Sequence, residues 1–204
     1  VDILLGLLHA QEGEITCDGI NIFKNYESWL AQIGYIPQSI YLVDESIRDN
    51  IAFGIDEDLI DDKRIWNILE EAQLKEFVEG LPEGLDTTIG DRGIRLSGGQ
   101  RQAMALLMST MTPIEFLILD EHTAALDPKT AELIMELTDK IVKEKNLTTV
   151  MVTHNLRYAV EYGNRLIMMH QGHCVMDKAG KDKEDTSIDE ILTMFNEISI
   201  ECGN

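Results

Sequence analysis

The chain reads as an α/β protein: a mostly parallel sheet flanked by helices, with an inserted helical subdomain and a small antiparallel N-terminal portion. Three observations predict this. Short apolar runs such as Phe116-Leu117-Ile118-Leu119 and Val150-Met151-Val152 alternate with stretches of helical periodicity, the pattern of strands buried between helices. An Asp18-Gly19 pair follows the extended stretch Glu14-Ile15-Thr16-Cys17, the signal of a tight turn. Between the first and later apolar runs, residues 61–79 change character: Ile65, Leu69, Ala72 and Phe77, with Ile68 alongside, recur at helical spacing among many charges.

Taken in order, Ile3-Leu4-Leu5-Gly6-Leu7-Leu8 reads as the end of a helix, and Glu14 to Cys17 as a strand closed by its turn. Ile33-Gly34-Tyr35-Ile36 is a second short strand, stopped by Pro37. The periodic stretch 61–79 predicts a helix that Gly80, Pro82 and Gly84 end. Ser97 is placed to cap a helix through Arg101 to Leu107, because a serine hydroxyl accepts from the orphan N–H groups of a first turn. Phe116 to Leu119 is a buried strand. Asp127 and Pro128 form an N-cap and first-turn proline for a helix to about Lys145. Thr148 to Thr153 and Arg165 to His170 read as two more buried strands, and Cys174-Val175-Met176 begins a hairpin return. The charged run Gly180 to Asp185 reads as a solvated linker, and Ser187 with Glu190 fits a capping box for a last helix, Ile188 to Ile198. The expected division is an α/β core at 1–44 and 98–180, a helical subdomain at 45–97, and an acidic linker with a C-terminal helix at 181–204.

At 204 residues and 44% hydrophobic, the chain can bury one sizeable core, with or without a small subdomain. Its net charge of −20 argues against nucleic acid as a partner, since phosphates are neutralised by Lys and Arg, and against adsorption to anionic lipid. Three cysteines, Cys17, Cys174 and Cys202, are odd in number and far apart, which fits a reduced chain. His170 and His173 flank a Gln171-Gly172 turn with no acid or thiol at ligand spacing, so a turn is a better account of them than a metal site. No apolar run approaches the roughly 20 residues that span a bilayer, and no signal peptide is expected.

Two stretches carry chemistry. Asp120 and Glu121 end the apolar run Phe116 to Leu119, and acids at the carboxyl end of a parallel strand lie where such sheets bind ligands. Two solvated acids at a strand end explain the pair equally well when it stands alone. Leu96-Ser97-Gly98-Gly99-Gln100 combines two glycines, which let a backbone approach a phosphate, with a serine hydroxyl and the positive end of a following helix. An ordinary capped loop explains Ser-Gly-Gly alone. The order of these two with Gly34-Tyr35-Ile36-Pro37-Gln38 upstream, and with Ala124-Ala125-Leu126-Asp127 and Thr153-His154 downstream, is what sets the ordinary account aside.

That order and spacing resembles the nucleotide-binding domain of ABC transporters, over about residues 1–180. The resemblance implies a P-loop NTPase-like fold, ATP and Mg²⁺ as cofactors, and ATP hydrolysis coupled to transport. It implies that Asp120 holds Mg²⁺ through water and that Gln38 touches Mg²⁺ or water and relays nucleotide state to a membrane subunit. Glu121 would polarise the attacking water, and His154 would contact the γ-phosphate. Leu96 to Gln100 would serve the ATP of a second nucleotide-binding domain in a head-to-tail dimer, and Asp127 would close the loop that speaks across it. A transmembrane domain is the implied partner, docked near Gln38 to Asp49 and the helical insert, at the cytoplasmic face of the membrane.

The chain departs from the family in one respect. No G-x-x-x-x-G-K-[ST] run, the Walker A loop that cradles phosphates, occurs in the 204 residues. Val1 to Leu8 looks like the helix that directly follows such a loop, so the chain looks cut just past it and is expected neither to bind nor to hydrolyse ATP measurably alone. Ser39 to Ile51 and Thr87-Thr88-Ile89-Gly90-Asp91-Arg92-Gly93 look like exporter-type domains. Leu106 to Met111, Glu121 to Asp127 and Thr153 to Leu156 look more like stand-alone importer ATPases, which suggests a mosaic with a seam near Gln102–Ala103. A non-catalytic module that lends its signature loop to an intact partner is the alternative reading. A chromosome-maintenance ATPase ranks lower, because only 58 residues lie between Gln38 and Ser97 and no heptad repeat is present. A small-molecule kinase gives Ser97 to Gln100 and His154 no role.

Overall fold

The computed structural model describes residues 1–90 and 95–201, in two compact units, Val1–Val152 and Thr153–Asn204. Asp91, Arg92 and Gly93 of the exporter-like loop, and Cys202, lie outside the described residues.

The first unit opens on a single turn. Leu7 N–H bonds Asp2 O at 2.9 Å and Gly6 N–H bonds Ile3 O at 3.1 Å, with Gly6 at φ +70°. This pair of bonds around a left-handed glycine is the closure that ends helices. Strands β1 (Thr16–Cys17) and β2 (Ile20–Asn21) pair antiparallel across Asp18 and Gly19, both at positive φ, the turn that matches strand twist. Helix α1 (Tyr26–Ala31) leads into β3 (Ile33–Ile36). Helix α2 (Ile47–Ile51) is started by a capping box between Ser46 and Asp49.

The stretch predicted as one helix over 61–79 is two, α3 (Asp62–Glu71) and α4 (Lys75–Glu79). Gln73 sits at φ +57°, and Leu74 N–H reaches back to Leu69 O at 2.8 Å. The break lets Leu74 and Val78 join Leu69 in the core, which a straight helix would not do. Helix α5 (Gly98–Met111) has Ser97 as its cap, with a reciprocal bond from the Gln100 side chain. Strand β4 (Phe116–Asp120) is followed by α6 (Pro128–Lys145), capped by Asp127 and ended by Asn146 in the left-handed conformation, and by β5 (Thr148–Val152).

The sheet order is β3-β4-β5, all parallel, with Ile36 beside Leu119 and Asp120 beside Val152. Alternation along the pleat assigns faces: Ile36, Leu117 and Leu119 join a core with Met104, Leu106 and Leu107 of α5 and Ile134 and Ile141 of α6. Gly34 allows α5 to approach β3, since a Cβ there would lie 2.8 Å from Ser109 O.

In the second unit, α7 (Leu156–Glu161) precedes β6 (Arg165–His170) and β7 (His173–Ala179). These two strands form an antiparallel hairpin through Gln171-Gly172. Arg165 to His170 is therefore not a fully buried strand as expected: Leu166 and Met168 face a small core while Ile167 and Met169 are exposed. The expected linker also differs. Residues Lys181–Glu184 form a short helix, α8, with Lys183 buried and its Nζ on Val160 O, the last turn of α7. Helix α9 (Ile188–Glu201) starts at Ser187, whose hydroxyl accepts from Glu190 N–H at 3.2 Å. The Glu190 carboxylate pairs with Lys178.

Candidate active site

The carboxyl ends of β3 and β4 place Gln38 and Glu121 side by side. Pro37 cannot continue the ladder, so β3 stops at Ile36 and the chain leaves the sheet with Gln38 exposed at its rim. Beside it, β4 ends in Asp120, and Glu121 turns away at φ +46°. Gln38 Nε2 donates to Glu121 Oε2 at 3.2 Å, bridging 83 positions of sequence. A glutamate in the left-handed region costs about 1–3 kcal/mol and persists only where its surroundings over-determine it. Here Glu121 N–H donates to Val152 O and Ala124 N–H donates to Glu121 O, both at 2.9 Å, so the turn is fixed on both sides.

Asp120 shares its sheet face with Tyr35. Burial, the charge of Asp120, the charge of Asp2 and a hydrogen bond to Asp120 all raise the Tyr35 pKa, which places the phenol against that carboxylate. Two carboxylates and a side-chain amide oxygen at one rim are hard oxygen donors of the kind that hold Mg²⁺, directly or through water. Asp120 and Gln38 thus fit that ion.

The second constellation is built where α5 and α6 begin. Ser97 Oγ accepts from Gln100 N–H at 3.2 Å, and Gln100 Oε1 accepts from Ser97 N–H at 2.8 Å. Leu96 is buried beneath, with its carbonyl on Arg101 Nη1 at 2.8 Å. The glycines have a reason here beyond phosphate approach. A Cβ on Gly99 would lie 2.4 Å from Thr130 Cγ2, and one on Gly98 would lie 3.1 Å from Leu126 Cδ2. The signature stretch therefore packs on the segment of Asp127, whose Oδ1 accepts from Thr130 N–H at 3.1 Å. Hydrogen bonds to Thr130, side chain first and then backbone, hold the Asp127 carboxyl below the usual carboxylate range. The half-buried first turn of α5, with its N–H groups and the exposed Ser97 hydroxyl, suits an anion.

His154 belongs to the second unit. It is exposed and follows β5 by two residues, and the cap of α7 is Asn155, whose Oδ1 accepts from Arg157 and Tyr158 N–H. One further residue escaped sequence reasoning. His122 is 3% exposed, with Nε2 3.3 Å from Thr138 Oγ1 on α6. Burial pulls its pKa from 6.5 to about 4. Its position directly after Glu121 was the available signal.

Comparison with known proteins adds independent findings. The family model for ABC transporters matches residues 1–124. The chain is 38% identical over 199 residues to a tyrosine transport ATP-binding protein of Clostridioides difficile, covering 96% of this chain and 79% of that protein. It is 33% identical over 173 residues to a multidrug resistance ABC transporter ATP-binding and permease protein of Lactococcus lactis, covering 84% of this chain but 28% of that longer protein. Among solved structures, that of a bacterial Atm1-family ABC exporter with ATP bound superposes with a TM-score of 0.79 at 26% identity, over 97% of this chain and 34% of the other. The chain thus spans about a third or less of the length of these two transporter chains. With the parallel sheet, the capped signature helix and the acidic strand end already placed, these matches show that the chain belongs to the ABC transporter ATP-binding family, whose members are ATPases with a P-loop NTPase fold.

Proposed function

We propose that this chain is the ATP-binding part of an ABC transporter and that it drives transport through a membrane domain docked near Gln38 to Asp49. The contact that carries the reading is the Gln38–Glu121 hydrogen bond at the strained end of β4. It joins the group assigned to the water with the group assigned to relaying nucleotide state. When bound, ATP with Mg²⁺ supplies the γ-phosphoryl group and the counter-charge it needs. Asp120 and Gln38 would hold the ion. Glu121 orients the attacking water and accepts its hydrogen bond. His154 contacts the γ-phosphate. Leu96, Ser97, Gly98, Gly99 and Gln100, with Asp127, serve the nucleotide of a second copy in a head-to-tail dimer, at the cytoplasmic face of the membrane.

The 204 residues contain no phosphate-cradling G-x-x-x-x-G-K-[ST] loop. Several charge-assisted hydrogen bonds, each worth roughly 1.5–3 kcal/mol, depend on such a loop. We therefore infer that these residues alone do not turn over ATP, whereas a protein that joins them to that loop does. The test compares ATPase activity of both proteins with and without Glu121→Gln. Turnover by the 204 residues alone that disappears with Glu121→Gln would overturn the inference. Turnover in the longer protein that survives Glu121→Gln would overturn the role of Glu121. A second reading, a non-catalytic module that lends its signature loop, rests on the Ser97-capped start of α5. It predicts nucleotide-dependent association with an intact nucleotide-binding domain, abolished by Ser97→Arg.

A further inference from the structure

The turn that carries Glu121 is held from behind by a buried polar contact. Glu121 sits at φ +46°, and the next side chain, His122, enters the core at 3% exposure. Its Nε2 lies 3.3 Å from Thr138 Oγ1, on the buried side of α6. The Thr138 hydroxyl lies 2.7 Å from Ile134 O, one helical turn back, and donates its single proton there. It is therefore left only to accept, so His122 Nε2 carries a proton and is the donor. An apolar side chain would fill the same volume but would fix no direction. The bond ties the residue that follows Glu121 to a helical residue sixteen positions further along the chain.

We propose that His122 is a positioning residue for Glu121: its hydrogen bond to Thr138 anchors the turn to α6 and holds the strained backbone that brings the Glu121 carboxylate to Gln38. The catalytic consequence rests on the reading of Glu121 given above, whereas the anchoring does not, and the two are tested apart. In the ¹⁵N-labelled chain, the imidazole spectrum of His122 is expected to show the Nε2–H tautomer. An Nδ1–H tautomer overturns the proposal without any variant. Amide hydrogen exchange then compares Thr138→Val, which keeps shape and loses the acceptor, with Thr138→Ser, which keeps the acceptor. Thr138→Val is expected to speed exchange at Glu121 and Ala124 about tenfold over the amides in the middle of β4, and Thr138→Ser to restore protection. Uniform acceleration, no acceleration, or equal behaviour of the two variants overturns the anchor. In a protein that carries the phosphate loop, Thr138→Val is expected to lower kcat several-fold with KM unchanged and Thr138→Ser to restore it. Selective exchange with kcat unmoved would overturn the catalytic consequence. Loss of turnover in Glu121→Gln alongside that result would show that the reading of Glu121 still stands.

Discussion

Burial of the His122 imidazole has a consequence for folding that is separate from its anchoring. The ring's pKa falls from 6.5 to about 4 because its charged form is desolvated, so the unfolded chain binds this proton more readily than the folded one. The contribution is complete above about pH 6.5 and is lost as pH falls toward 4. At pH 5 the loss is about 2 kcal/mol, reaching on the order of 3 below pH 4. Asp127 and Asp177 shift the opposite way. Hydrogen bonds to Thr130 and to Arg165 hold them below the usual carboxylate range, so what they contribute fades only at more acidic pH. A comparison of pH 7 with pH 5 therefore isolates the imidazole. Urea unfolding is expected to give lower stability at pH 5 in the native chain, and a difference smaller by about 2 kcal/mol in His122→Gln. An unchanged difference in the variant rejects this assignment.

Among the elements, the junction of α5 with α6 separates two accounts of the signature glycines. If Gly99 is needed only for a ligand, Gly99→Ala leaves folding stability nearly untouched. The 2.4 Å separation from Thr130 Cγ2 predicts overpacking instead, at a cost of about 1–3 kcal/mol. Thr130→Ser removes that methyl, so the double variant is expected to recover most of the loss, and a thermal-unfolding double-mutant cycle measures the coupling. Additive effects would leave the phosphate account alone. The glycines themselves were legible in the sequence, as were Ser97, Asp127 with Pro128, the Asp18-Gly19 turn and the β3 stop at Pro37, because each acts on neighbours within a few residues. What was not legible depends on distant partners. Nothing local marks Gln73 as the left-handed residue that splits the predicted helix. Lys183 looked solvated because its acceptor, Val160 O, lies on another helix. The Gln38–Glu121 contact spans 83 positions, and only the family order of motifs suggested it. The Gly99–Thr130 contact had no signal at all.

For the whole chain, charge decides how it responds to salt. Two electrostatic effects compete when ionic strength rises. Exposed pairs such as Lys75–Glu70, Arg157–Glu161 and Arg165–Asp177 are screened, but each is worth only about 0–1 kcal/mol. Against them stands the mutual repulsion of a −20 chain with 37 carboxylates and 17 Lys and Arg, which opposes the compact state and is relieved by the same screening. At 0.01 M salt the screening length is roughly 30 Å, and at 0.15 M roughly 8 Å, so repulsion between distant carboxylates collapses while paired charges in contact lose less. Repulsion therefore wins, and added NaCl is expected to raise the unfolding midpoint over that range. The second unit amplifies the effect on its own amides. Among the described residues, its core cluster is built on Leu166, Met168, Met176 and Ile191, far smaller than that of the first unit, so less apolar burial opposes its local opening. Hydrogen exchange in β6 and β7 should consequently be faster than in β4 and slow measurably as salt is added. A midpoint that falls with salt would mean that the ion pairs, not the net charge, dominate the electrostatics of this chain.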